Sequence, residues 1–309
     1  MPYCTKCQKA ESLYQRAHSG EYLCKKCFLH SVESKAAKTI SKYSMIKYGD
    51  KIAVGVSGGK DSLSLLYVLK MFVDRHPHNA NELVAVTIDE GIKGYREESL
   101  QTVKDFCARL HIESKILSYQ SLFGVDMDRA IIQRPSQKIS SCSICGTFRR
   151  RAIDVAAETV GADVVATAHN MDDQLQTFMI NLLAGDVERI GWIYPQAVQY
   201  TEHGLKKIKP FVEIYEYEIV FYALQRDIPF QSEECPYMNE SIRTDLREFF
   251  NRLERDHPGI KYNAYKSMMK VSNVLRSNLP SSEIKKCSRC GHVSTGDVCS
   301  VCKTLSVLT

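Results

Sequence analysis

Ser57-Gly58-Gly59-Lys60-Asp61-Ser62 follows directly on the apolar run Ile52-Ala53-Val54-Gly55-Val56, and an apolar-periodic stretch opens at Leu63. Strand, glycine turn and helix in that order make an anion site. The two glycines let backbone N–H groups close on a negative ligand at a helix N-terminus, where unpaired amides and the macrodipole favour it. Lys60 adds a point charge, and Asp61 is of a type that holds a metal ion. The longer glycine loop that ends in Gly-Lys-Ser/Thr is absent, so this is a different phosphate loop from the commoner one.

The twelve cysteines supply the second chemistry. Cys4-x2-Cys7 and Cys24-x2-Cys27 stand sixteen residues apart, and Cys287-x2-Cys290 and Cys299-x2-Cys302 stand eight apart. Two such turns complete a tetrahedron of thiolates, and a closed four-sulfur site reads as structural zinc because catalytic zinc keeps an open position. Two zinc ions are therefore expected, each holding a module too small to fold on its own core. His30 and His292 lie nearby as alternative ligands, and Lys25, Lys26, Lys285, Lys286 and Arg289 would suit phosphate contacts or simply face solvent. Cys107, beside Val103, Phe106 and Leu110, reads as a small buried hydrophobe.

Cys142-x2-Cys145 and Cys235 differ from the quartets. The pair precedes a helix-like stretch carrying Arg149-Arg150-Arg151, a setting that favours thiolates. Cys235-Pro236 matches the pairing at the last ligand of ferredoxin clusters. Three thiolates on a 4Fe-4S cluster would leave one iron open as a Lewis-acid position able to carry sulfur. A catalytic pair that passes persulfide sulfur and resolves as a disulfide is the competing chemistry, and three unrelated cysteines the bland one.

Positioning these groups requires a scaffold whose strands end where the motifs lie. Short apolar strands are expected at 51–56, 83–89, 112–117 and 163–168, with helices at 62–74, 97–110, 148–160 and 172–183 between them. Such alternation predicts an α/β fold, a parallel sheet with helices on both faces and ligands beyond the strands' carboxyl ends. From Tyr215 onward the pattern turns helical, at 217–226, 242–255 and 262–279. Lys35, Lys38 and Lys42 recur at helical spacing beside Val32, Ala36, Ile40 and Tyr43, either a basic stripe for a partner or a solvated face.

Length, charge and cysteine usage bound the rest. A chain of 309 residues can bury one substantial core and carry small appendages. A net charge of +5 says little about nucleic acid by itself. No run of about 18 apolar residues is present to span a bilayer, and Met1-Pro2-Tyr3-Cys4 lacks the basic start and apolar middle of a secretory signal. The expectation is a cytoplasmic protein without membrane contact, its thiols kept reduced for metal or catalysis.

Taken in order, SGGKDS, CSICGTFRRR at 142–151, ATAHNMDDQLQT at 166–177, ECP at 234–236 and the two terminal quartets resemble one family over almost the whole chain. It is the tRNA 2-thiouridine synthetases of the TtuA and NcsA type, whose loop is that of ATP-pyrophosphatases. The resemblance implies a PP-loop core at 31–282 between an N-terminal zinc finger at 1–30 and a C-terminal one at 283–309. It implies an ATP-dependent tRNA sulfurtransferase that uses Mg2+ and a 4Fe-4S cluster on Cys142, Cys145 and Cys235. The family's nucleotide contacts fall on Gly55, Val56, Ser57, Gly58, Gly59, Lys60, Asp61, Ser62, Thr87, Ile88, Arg149, Ala168 and Asp173. Its catalytic roles fall on Lys60, Asp61, Asp173 and the three cysteines. Ala168 stands where many members have Gly, and Arg149 where some have Lys.

The implied chemistry suits the parts. The C2 oxygen of uridine is a poor leaving group; adenylation makes it a phosphate ester, and sulfur on the open iron then displaces AMP. His169 is either an acid–base group or a structural hydrogen-bond partner. RNA would be read as a splayed single-stranded base plus phosphates. GTFRRRAI and MINLLAGD are closer to the wobble-uridine branch than to the T-loop branch, and 25% charged residues is not a hyperthermophile profile. The resemblance also suggests a homodimer, with a ubiquitin-like thiocarboxylated carrier or sulfide as sulfur donor.

Overall fold

The computed structural model describes residues 2–137, 139–195, 205–238, 242–278 and 285–308. An N-terminal hairpin, β1 (Tyr14–Arg16) and β2 (Glu21–Leu23), leads into α1 (Lys25–Lys42). The core follows as β3 (Lys51–Gly55), α2 (Lys60–Arg75), β4 (Glu82–Asp89), α3 (Arg96–Arg109) and β5 (Glu113–Ser118). Two short helices, α4 (Tyr119–Phe123) and α5 (Met127–Gln133), precede α6 (Ser141–Thr159), β6 (Val164–Ala166), α7 (Met171–Leu183), α8 (Val187–Gly191) and β7 (Lys206–Ile208). Helices α9 (Glu216–Gln225), α10 (Ile242–Asp256) and α11 (Ile260–Asn278) come next. A second hairpin, β8 (Lys285–Lys286) and β9 (Val293–Ser294), and α12 (Ser300–Leu308) end the described chain.

The five core strands form a parallel sheet in the order β5-β4-β3-β6-β7. The chain runs from β3 to β4 and β5 on one side and from β6 to β7 on the other, so the crevice at the carboxyl ends of the adjacent strands β3 and β6 is a topological switch point, where open α/β sheets bind ligands. Period-two alternation sets the faces. Ile52 and Val54 point into a core made with α1, α2 and α9, while Ala53, with Val84, Val86 and Val165, packs on the other face against Phe148, Ala152 and Ala156 of α6. A third cluster joins Met171 and Leu175 of α7 to Phe250, Tyr265 and Met268 of α10 and α11. Each fully buried aliphatic or aromatic side chain contributes about 1.5–3 kcal/mol.

The terminal modules share these cores. Cys4, Leu23, Cys24 and Phe28 belong to the first cluster, and Cys287, Cys299, Val301 and Leu308 to the second. The boundary expected at 30/31 falls inside α1, whereas that at 282/283 and the helix end expected at Leu279 lie outside the described residues. One helix start requires correction. The helix expected from 148 begins at Ser141 because the Ser140 hydroxyl caps it, accepting from the Ser143 amide at 3.3 Å. Cys142 thus sits in its first turn and Cys145 at the start of its second. The lysine stripe of α1 is mostly engaged internally: Lys42 pairs with Glu213 at 2.6 Å and Lys35 lies over the Tyr262 ring, leaving Lys38 exposed. Among the described residues no helix is long and apolar enough to cross a membrane.

Candidate active site and metal centres

The loop at 57–62 joins β3 to α2 with the glycines in demanding positions. Gly58 has φ +89°, and a Cβ there would stand 2.7 Å from that of Ser99. The Ser62 hydroxyl accepts from the Ser57 amide at 3.1 Å and donates to the Gly59 carbonyl at 3.0 Å, closing the turn. Gly59 is the N-cap and brings no side chain, so the first amides of α2 are left to an anion. Lys60 Nζ lies 3.0 Å from both Asp61 Oδ2 and Glu216 Oε1. Burial would lower the Lys60 ammonium, but these two carboxylates outweigh it and hold its pKa up. Asp61 is pushed up by burial, with Glu216 adding and Lys60 and Asn170 opposing.

Asp173 lies at the N-terminus of α7. Its Oδ2 accepts from the Asn170 amide at 3.0 Å, and its own amide donates to Asn170 Oδ1 at 3.0 Å, a reciprocal cap that fixes the turn after β6. Asn170 Nδ2 reaches Asp61 Oδ1 at 3.5 Å, so the loop and this turn meet. Burial, with Asp61 and Glu216 adding, pushes the Asp173 carboxyl up to about 6. His169 shares a hydrogen bond between its Nδ1 and the Thr167 hydroxyl at 2.9 Å. Desolvation, then Lys209, Arg243, Arg149 and Arg150, lower the pKa of its imidazole, while the residue itself stays exposed. Of the other expected contacts, Thr87 and Ile88 are buried at the end of β4, the Thr87 hydroxyl has no partner among the described residues, and Ala168 is half-buried after β6.

The cysteine site is built by α6 and the segment after α9. Cys142 is exposed and Cys145 half-buried. Arg149 Nη2 lies 3.3 Å from Cys145 Sγ, and the buried Tyr119 hydroxyl donates to the Cys145 carbonyl at 2.9 Å, with the same sulfur at 3.5 Å. The Tyr237 carbonyl accepts from the Ser141 hydroxyl at 3.1 Å and faces Cys142 Sγ at 3.9 Å, which docks the turn holding Cys235 against the pair. The Cys235 thiol is pushed up by burial, opposed first by the Tyr237 backbone, and Cys145, Arg149 and Cys142 also act on it, so its surroundings contain the other two cysteines. The same segment touches the phosphate loop, because the Gln231 amide donates to the Gly58 carbonyl at 3.1 Å.

The two quartets are tighter. Cys4, Cys7, Cys24 and Cys27, and likewise Cys287, Cys290, Cys299 and Cys302, each place four sulfurs within 4.8 Å of one another, as ligands of a single ion require. The trio is not grouped at that spacing. Ligands of a multi-iron cluster each bind a different iron and stand further apart, so the donor set of three soft thiolates fits such a group. Within each quartet, backbone amides hold the first thiol down while burial and neighbouring sulfurs push the last up, the repulsion a bound cation relieves.

Sequence patterns alone missed Glu90, Arg96, Tyr119, Lys209 and Glu216. Lys209 follows β7, a three-residue strand too short to register as apolar periodicity. Its ammonium, lowered to about 8 by burial against the opposing charge of Asp173, lies 3.3 Å from Gln174 Oε1. The Ile-Asp-Glu-Gly run at 88–91 signalled only a strand end.

Comparison with known proteins agrees with this geometry. A PP-loop domain pattern matches residues 29–253, and a RecR-type Cys4 zinc-finger pattern matches 284–303. The chain is 36% identical, over 99% of its length and 85% of the relative's, to "Cytoplasmic tRNA 2-thiolation protein 1" of Laccaria bicolor. It is 37% identical to the protein of the same name from Drosophila melanogaster, over 95% of this chain and 84% of that one. Among solved structures it is similar to the U34-tRNA thiolase NcsA from Methanococcus maripaludis with its [4Fe-4S] cluster. The TM-score is 0.81 at 31% identity, covering 99% of this chain and 95% of that chain.

Proposed function

The chain belongs to the PP-loop family of tRNA 2-thiolation proteins, and from that membership we propose that it activates the C2 oxygen of the wobble uridine with ATP and replaces it with sulfur. One observation carries the reading: residues 231–238 touch the phosphate loop at Gly58 and the cysteine turn at Ser141 and Cys142, so both chemistries face one crevice. Similarity to a U34-tRNA thiolase over nearly the whole chain supports the wobble position over the T-loop. Names of the relatives support a cytoplasmic setting.

The residues divide the work. Backbone amides at 57–62 bind the departing pyrophosphate, and Lys60, already desolvated, neutralises the charge that develops on it. Asp61 and Asp173 would hold Mg2+, which supplies charge neutralisation to the triphosphate; both carboxyls are pushed up by burial, and Asp61 adds to the rise at Asp173, a pairing that fits a cation. Cys142, Cys145 and Cys235 would hold the 4Fe-4S cluster, which supplies an incompletely ligated iron as a Lewis-acid position for sulfur. Arg149, paired with Glu90 and 3.3 Å from Cys145 Sγ, would balance the charge of a thiolate there. The quartets take structural Zn2+. A homodimer, with a thiocarboxylated carrier or sulfide as donor, completes the proposal.

Anaerobic reconstitution with transcribed tRNA, ATP and sulfide, followed by mass analysis of mapped fragments, tests it. The expected product carries sulfur at the wobble uridine. Sulfur in the T-loop would move the target, and incorporation of nitrogen would assign an amidating enzyme. Visible absorption and iron analysis of the same preparation test the cluster: a colourless, iron-free yet active protein would remove it from the sulfur transfer.

A further inference from the structure

Two buried charged side chains that the chemistry above leaves unused lie between the phosphate loop and the cysteine turn. Glu90, directly after β4, is 3% exposed, and Arg96, the first residue of α3, is 5% exposed. Arg96 donates to the Ser57 carbonyl at 2.8 Å and to the Ile88 carbonyl at 2.7 Å, which ties the loop to the end of β4. Its Nε lies 2.6 Å from one oxygen of Glu90. The other oxygen of Glu90 takes Arg149, with Nη2 at 2.9 Å, and the same Arg149 Nη2 lies 3.3 Å from Cys145 Sγ. A continuous line of contacts therefore runs from Ser57 to Cys145 through one carboxylate.

We propose that Glu90 is a positioning residue that, through Arg96 on one side and Arg149 on the other, fixes the cysteine turn against the nucleotide loop. The inference rests on the nucleotide reading of that loop. A carboxylate this deeply buried persists because both its oxygens meet cations. Replaced by a neutral amide, it leaves two guanidiniums facing each other with their mutual repulsion uncompensated. Arg96 cannot leave, since two backbone carbonyls hold it. Arg149 can, because its side chain is 49% exposed. Loss of the charge therefore releases the cysteine side and spares the loop.

The test uses the full chain, reduced and freed of iron, with Glu90→Gln as the variant and its melting temperature as the folding control. A non-hydrolysable ATP analogue with Mg2+ is titrated by calorimetry, and the rate of Cys145 carbamidomethylation is followed by peptide mass spectrometry with and without saturating analogue. In the wild type the analogue changes the Cys145 rate by about fivefold or more, the low end of coupling between linked sites. In Glu90→Gln the analogue still binds, but its effect on Cys145 disappears. A variant that keeps the wild-type effect, or a wild type that shows none while binding the analogue, overturns the proposal. A wild type that binds no analogue overturns the nucleotide reading instead. If Glu90→Gln does not fold, the wild-type chain decides: alkylation at Cys145 must change the affinity for the analogue, and unaltered affinity overturns the proposal.

Discussion

Gly58 shows how far a single position is constrained. Its positive φ strains any L side chain, and the neighbouring Ser99 backbone, its carbonyl 2.8 Å from where a Cβ would stand, leaves no room to relax. Gly58→Ala should therefore cost about 1–3 kcal/mol of stability and weaken nucleotide binding at least tenfold, as melting curves and calorimetry would show. Asp61→Ala removes a carboxylate from the region where charge develops, and ATP-dependent thiolation should fall about 100-fold or more; single-turnover rates check it. The Asp173 carboxyl, raised to about 6, acts on a cation only when ionised, so the rate should fall as pH drops through about 6. In Asp173→Asn that inflection should vanish from the pH–rate profile along with most of the activity.

Elements place these side chains, and the N-terminal module docks by few of them. Arg16 pairs with Glu218 of α9 at 2.6 Å, and His18 stacks on Tyr215 while its Nδ1 meets the Tyr217 hydroxyl at 3.2 Å. Burial, then Lys35 and Arg16, lower the His18 imidazole from 6.5 to about 4. Between those values the unfolded chain binds the proton and the folded chain does not, so stability is lost as pH falls from 6.5 toward 4. His18→Phe should flatten that part of the melting temperature against pH curve. Legibility in the sequence follows the same physics. Strands β3 and β4 stood out because both of their faces are buried and read as apolar runs. The true start of α6 was hidden because Ser140, Ser141, Cys142 and Ser143 carry no helical periodicity and only the serine cap sets the boundary. Glu90 and Arg96 escaped because a buried ion pair looks, in sequence, like ordinary surface charge.

Across the whole molecule the metal-binding ends are continuous with the centre. Cys287 and Cys299 lie in the cluster that also contains Ile144 and Phe148 of α6, and Arg151 of the same helix donates to the Val293 carbonyl at 3.4 Å. Stripping metal from the C-terminal quartet should therefore lower the melting temperature and speed loss of iron from the cysteine trio, whereas an isolated appendage would leave the trio untouched; chelator titration with iron-release kinetics distinguishes the two. The paired quartets were plain in the sequence because ligand spacing is local, but their merger with the main core depends on tertiary packing that no spacing encodes. The segment after α9 has a consequence of its own. Gln231 is bonded to Gly58, and Cys235 follows four residues later, so even fully stretched chain allows the third sulfur's backbone no more than about 14 Å from that anchor. This short leash makes 231–235 intolerant of insertion or deletion, since a single added residue would reset the gap that the proposed sulfur transfer has to cross.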